Sequence, residues 1–121
     1  KMKHITKVYW VVLIAYFIVQ TFLPTKGVKQ ITTNDLKNEL KNKEKQFIDV
    51  RTTGEYKGRH IKEFKNIPLH TLKQNINNLS KDKETIIICQ SGIRSKKACK
   101  VLKKMGYTNI TNVKGGMSAW S

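Results

Sequence analysis

Chemistry in this chain concentrates in the stretch TIIICQSGIRS, residues 85–95. The unalternating β-branched run predicts a strand over Thr85–Cys89 that is buried on both faces. The tight loop Gln90-Ser91-Gly92-Ile93 follows, and a helix is expected to begin near Arg94 or Ser95. A cysteine at the carboxyl end of such a strand meets the first-turn N–H groups and the positive dipole end of the next helix. Both favour the nucleophilic thiolate. Gly92 lets the backbone curl so that several N–H groups converge on one point. Ser91 and Ser95 add hydroxyl donors, and Arg94 adds a fixed charge. A cysteine that merely fills a strand end, a common role for this residue, needs neither the glycine nor the arginine. Arginine is also scarce, three of 24 basic residues (Arg51, Arg59, Arg94), so each suggests a need for the planar multi-donor guanidinium. Cys89 is therefore the candidate nucleophile, with Gln90, Ser91, Gly92, Ile93, Arg94 and Ser95 as the loop around it.

Such a loop needs elements to hold it, and the surrounding pattern supplies them. Thr33 reads as the N-cap of a helix over 34–42, with Leu36 and Leu40 on one face. Residues 46–50 (QFIDV) form a short strand, and Thr52/Thr53 cap a short helix carrying Glu55 and Tyr56. A strand is expected over 66–69 and a helix over 71–79, with Leu72, Ile76 and Leu79 in step. A helix over 95–105 has Ala98, Val101, Leu102 and Met105 as its apolar stripe and is stopped by Gly106. Cys99 flanks that stripe and reads as packing. Residues 110–113 form the last strand, and Gly115-Gly116 turn into a short closing helix ending at Trp120. Strands alternating with helices predict an α/β fold with a mainly parallel sheet.

The string Cys-x-x-Gly-x-Arg-Ser resembles the active-site loop of rhodanese-like domains. Upstream, Asp49-Val50-Arg51, then Glu55-Tyr56, then His60-Ile61 are similar to that family's D-x-R, E-[FY], G-H-I series. Downstream, Gly106-Tyr107 and Gly115-Gly116-Met117-Ser118-Ala119-Trp120 are similar to its closing signature, so the resemblance covers about residues 31–121. Two departures stand out. Arg59 precedes His60 where glycine is usual, and Lys62–Asn66 lacks the usual Pro-Gly-Ala turn.

The resemblance implies a rhodanese-like α/β domain and a two-step covalent sulfur transfer, with no cofactor. A small anionic donor such as thiosulfate, or another persulfide donor, would load the Cys89 thiolate. A thiol, a protein cysteine or cyanide would then remove the sulfur, and backbone N–H groups of residues 90–94 would cradle the terminal sulfur. Arg94 is expected to brace the loop through an Asp49–Arg94 pair, because Asp49 ends a strand expected beside that of Cys89. Arg51, Glu55 and His60 read mainly as loop support.

Composition sets the remaining expectations. With 121 residues there is room for one domain, and 24 Lys+Arg against 8 Asp+Glu give a net charge of +16, which favours anionic partners. A solvated Lys-rich surface accounts for most of this, and without an aromatic-basic recognition surface no nucleic-acid partner is expected. Two cysteines in different settings suggest free thiols in a reducing compartment. With no CxxC and with His4, His60 and His70 scattered, no metal site is expected.

Residues 8–23 form an apolar run broken by Gln20 that would span about 24 Å as a helix. Lys7 and Lys26 flank it, Tyr9 and Trp10 sit at a possible interface, and Pro24 would end it. A signal peptide would need a small-x-small site, which Gln20–Leu23 does not offer. The resulting expectation is a basic tail over 1–7, a transmembrane helix over 8–24, a linker over 25–30 and a rhodanese-like domain over 31–121. The protein would be a single-pass, monomeric membrane protein with its domain on the cytoplasmic side.

Two other functions compete with sulfur transfer. A phosphatase or arsenate reductase on the same fold needs a wider loop, typically Cys-x5-Arg, whereas Cys89 to Arg94 is Cys-x4-Arg, a size that suits sulfur. A non-catalytic, membrane-tethered binding module would often lack the cysteine that this chain keeps.

Overall fold

The structure is a computed structural model that describes the backbone of residues 2–22 and 26–121 and the side chains of 7–19 and 26–121. Helix α1 (Met2–Phe22) comes first, then β1 (Lys29–Ile31), α2 (Thr33–Glu39), β2 (Gln46–Asp49), α3 (Thr53–Gly58) and β3 (Lys65–Asn66). A 3-10 turn (Leu69–Thr71) leads into α4 (Leu72–Asn75), β4 (Thr85–Ile88), α5 (Ile93–Lys104) and β5 (Ile110–Val113), and a 3-10 turn (Gly116–Ala119) closes the chain.

The five strands form one parallel sheet in the order β1-β5-β4-β2-β3, as the alternating pattern predicts. β4 is central, and all four of its residues are buried. Ile86 and Ile88 pack with Leu36, Phe64 and Met117 on one face. Ile87 and Cys89 pack with Leu72, Ala98, Cys99 and Leu102 on the other. Each face takes alternate β4 side chains, which is why the strand reads as an unbroken apolar run. The chain leaves β2 toward β3 on one side and β4 toward β5 on the other. The switch point between β2 and β4 therefore opens a crevice at their carboxyl ends, where open α/β sheets bind ligands.

Several boundaries differ from expectation for local reasons. Thr32, not Thr33, caps α2: its side chain accepts from the Asp35 N–H while Asp35 accepts from the Thr32 N–H, a reciprocal box that moves the helix start back one residue. Of the strand expected over 66–69 only Asn66 is in the ladder, as the end of β3 (Lys65–Asn66), because Pro68 brings no N–H to a ladder and opens the 3-10 turn instead. Helix α4 is one turn long, and α5 starts at Ile93 directly after Gly92.

The N-terminal expectation is overturned. Among the described residues no helix is long and apolar enough to cross a membrane. A helix does form there, but it opens on Lys3, His4, Thr6 and Lys7, and Gln20 interrupts its far end. The uninterrupted apolar part, Val8–Val19, would rise roughly 18 Å, well short of a hydrocarbon core of about 30 Å. The expected transmembrane helix, the single-pass membrane location and the assignment of a membrane side fall with it. Pro24 as the helix stop and the start of the linker at Thr25 lie outside the described residues.

Candidate active site

Cys89 follows β4 directly and lies at the switch point, with no exposed surface. The loop turns at Gly92, whose φ of 108° is left-handed and suits a residue without Cβ. That turn brings the Gly92 N–H to 2.9 Å from Cys89 Sγ. On the other side the Cys89 S–H donates to Ser95 Oγ at 3.3 Å, and the Ser95 hydroxyl donates to the Gly92 carbonyl at 3.0 Å. Sulfur, glycine and serine form one closed circuit. Ser95 is buried beneath the loop, whereas Ser91 and Ile93 are exposed and Gln90 is half-buried. Of the expected backbone cradle, the Gly92 N–H is the bond formed to sulfur here.

The single ion pair expected to brace the loop is replaced by two others. The Asp49–Arg94 pair does not form. Arg94 makes a fork with Glu55 instead, Nη1 to Oε1 at 2.5 Å and Nη2 to Oε2 at 2.8 Å. Asp49 is occupied by Arg51, two residues on, whose Nε and Nη2 reach its carboxylate at 2.8–3.1 Å. The reason is depth: Asp49 is fully buried within reach of the equally buried Arg51, while Arg94 rides on the first turn of α5 at the rim.

Glu55 is held there by its own helix start. Thr52 and Glu55 form a reciprocal capping box at the start of α3. The Arg94 fork, with help from the Thr52 N–H and hydroxyl, draws the Glu55 carboxyl down to about 2 against an opposing burial effect. The same Glu55 contact raises Arg94 further above its ordinary value.

Arg51 is the hub beneath the loop. Its Nη1 donates to the Glu55 carbonyl and to Gln90 Oε1, each at 3.3 Å, and its Nη2 donates to the Arg59 carbonyl at 2.6 Å. His60 stands further off: Nδ1 lies 2.7 Å from the Tyr56 carbonyl and the two rings stack at 3.9 Å. Asp49 and Arg51 thus come together under the loop and Glu55 joins Arg94 at its rim, while His60 supports α3. Arg59, which replaces the usual glycine, has extended backbone with φ −163°, so glycine is not required. Its side chain donates to the Trp120 carbonyl at 2.7 Å.

Sequence reasoning missed a clamp formed by the closing turn. The Met117 N–H donates to the Cys89 carbonyl at 2.8 Å and the Ser118 N–H to the Gln90 carbonyl at 2.9 Å. Gln90 Nε2 also donates to Ser118 Oγ at 3.2 Å. Gly116 permits this approach, since a Cβ there would stand 2.2 Å from the Cys89 oxygen. The paired glycines were the signal, but nothing in their spacing names the segment they touch. Cys99 is packed behind the site, and burial, then the neighbouring Cys89, pushes its thiol up to about 12.

Comparison with known proteins extends the picture beyond the site. A family model described as Rhodanese-like domain matches residues 32–121. The chain is 36% identical over 107 residues to Uncharacterized protein YqhL of Bacillus subtilis, covering 88% of this chain and 83% of that protein. It is 32% identical over 95 residues to a protein of Allochromatium vinosum named Sulfurtransferase, covering 78% of this chain and 89% of that one. The crystal structure of a rhodanese-like domain protein from Staphylococcus aureus is 40% identical, with a TM-score of 0.71, over 78% of this chain and 92% of the other. The parallel sheet, the cysteine loop at its switch point and a family match over nearly all of the described domain agree, and the chain belongs to the rhodanese-like domain family.

Proposed function

We propose that the protein is a sulfurtransferase that carries sulfane sulfur on Cys89. The observation that carries the proposal is the Gly92 N–H held 2.9 Å from Sγ, a preorganised donor at a sulfur that must bear negative charge. The likeness to a protein named Sulfurtransferase supports it.

In the first step the Cys89 thiolate attacks the outer sulfur of a donor. A Cys89 S–S bond forms, the donor's bond to that sulfur breaks, and the electron pair leaves with the donor remnant, sulfite when the donor is thiosulfate. In the second step an acceptor thiolate attacks the terminal sulfur of the persulfide, and the Cys89 thiolate departs. No oxidant or reductant is consumed. The Gly92 N–H stabilises charge on sulfur throughout, and the Ser95 hydroxyl exchanges its bond to the Gly92 carbonyl for one to the thiolate. Cys89 has no exposed surface, so residues 90–93 must shift to admit each reactant, and Gly92 supplies the freedom to do so.

The Cys-x4-Arg spacing and the fork to Glu55 leave Arg94 committed, whereas phosphate-ester chemistry would need it to face the substrate. The test is turnover with thiosulfate or an organic persulfide as donor and cyanide as acceptor. Cys89→Ser should abolish transfer with the fold retained, and Cys99→Ala should keep it. Turnover retained by Cys89→Ser, or aryl-phosphate hydrolysis faster than sulfur transfer, would overturn the proposal.

A further inference from the structure

A cleft of about 290 Å³ lies beside the loop, lined by Val50, Thr52, Pro68, Leu69, His70 and Arg94. Its apolar side continues into the sulfur's own surroundings: Val50 belongs to the same buried cluster as Cys89, and Leu69 packs against that cluster. Leu69 is fixed there by its N–H, which donates to the Val50 carbonyl at 3.1 Å. Among these lining residues Arg94 alone carries a permanent charge, and that charge is spent. Both guanidinium nitrogens that face Glu55 are bonded to its two carboxylate oxygens, and the carboxyl remains ionised down to about 2. The rim therefore presents a neutral ion pair over apolar walls. An inorganic dianion finds no uncompensated cation among the lining residues and gains nothing from Val50, Pro68 or Leu69. An organic body of a few carbons covers those side chains and gains their burial.

Resting on sulfur transfer through Cys89, we propose that Glu55 is a specificity-determining residue. By neutralising Arg94 at the rim of this cleft, it directs the enzyme to a low-molecular-weight organic hydropersulfide with an apolar body and away from thiosulfate. In the loading step the Cys89 thiolate attacks the outer sulfur of R–S–SH. The new bond is between Cys89 Sγ and that sulfur, the R–S–SH sulfur–sulfur bond breaks, and its electron pair leaves as the thiolate RS⁻, which takes its proton from solvent. Cys89 retains the S–SH group.

The test is single-turnover loading of the full chain followed by intact mass, with benzyl hydropersulfide and thiosulfate as separate donors. The wild type should load faster from benzyl hydropersulfide by about tenfold or more. Glu55→Gln removes the charge yet can still complete the capping box with Thr52. It should raise the thiosulfate rate about tenfold, the size expected for one uncovered charge a few Å from the donor, and the gain should shrink as salt is added. The protein's overall positive charge acts equally on both forms and cancels in the comparison. Leu69→Ala tests the other half independently and should slow loading from benzyl hydropersulfide about threefold more than loading from thiosulfate. Faster wild-type loading from thiosulfate, or an unchanged donor ratio in both variants, would overturn the assignment of Glu55 and the cleft while leaving sulfur transfer intact. Loading of Cys89 by neither donor would overturn both.

Discussion

At the scale of single residues, the site depends on groups that cannot be exchanged for near equivalents. Arg51 and Asp49 are buried together, with side-chain exposures of 3% and 0%, and the guanidinium also donates to three other oxygens around it. Arg51→Met would strand the Asp49 carboxylate, a loss of about 3–5 kcal/mol for an uncompensated buried charge. Chemical denaturation should show it as a lower midpoint at unchanged slope. The two thiols divide sharply as well. With Cys99 raised to about 12 by burial, alkylation near neutral pH should leave Cys99 unmodified in the folded chain and modify it after denaturation, which peptide mapping will show. The sequence made Cys89 and its loop legible because glycine and arginine follow the thiol at close spacing. It did not reveal which carboxylate each arginine takes. Strand adjacency brings Asp49 close to the loop, but pairing was decided by depth: the buried arginine took the buried acid and the rim arginine took the rim acid.

At the scale of elements, two short segments set the loop. Helix α3 is held at its start by the Thr52–Glu55 box and is tied to α5 through Arg94. Because the folded Glu55 carboxyl sits at about 2 against an ordinary 4.5, it binds its proton less tightly in the native state than in the unfolded one. Its stabilisation is complete above about 4.5 and is lost as pH falls toward about 2. Both partners are about one-third exposed, so solvent screens the pair and the effect is modest. Glu55→Gln should flatten this part of the acid limb in stability-versus-pH measurements, and an unaltered limb would contradict the assignment. The closing turn acts from the opposite side. Gly116→Ala would drive a methyl group into the Cys89 carbonyl, 2.2 Å away. A shift of that backbone should cost about 1–3 kcal/mol and slow sulfur loading, read by thermal unfolding and single-turnover mass together. Helix and strand types were readable from periodicity. Their ends were less so, because capping by Thr32 and termination at Pro68 are decided by individual hydrogen bonds.

At the scale of the whole molecule, the parallel sheet and its switch point were readable from the alternation of elements and the buried run 85–88. The sheet explains why residues far apart in sequence, Arg51, Glu55, Cys89 and Gly116, converge at one crevice. The N-terminal helix departs from the expected transmembrane span. The stretch is rich in valine, isoleucine and aromatics, yet its flanking polar residues leave too short a run for a bilayer. The family match begins at Thr32, so the likeness to that family covers the sheet domain and leaves out α1. The central claim is that this domain carries sulfur on one residue, and the direct measurement is intact mass with peptide mapping after brief exposure to a sulfur donor. A single gain of about 32 Da that maps to Cys89 and is removed by an acceptor thiol is the predicted result. Sulfur on Cys99, or none on Cys89 with any donor, would contradict it.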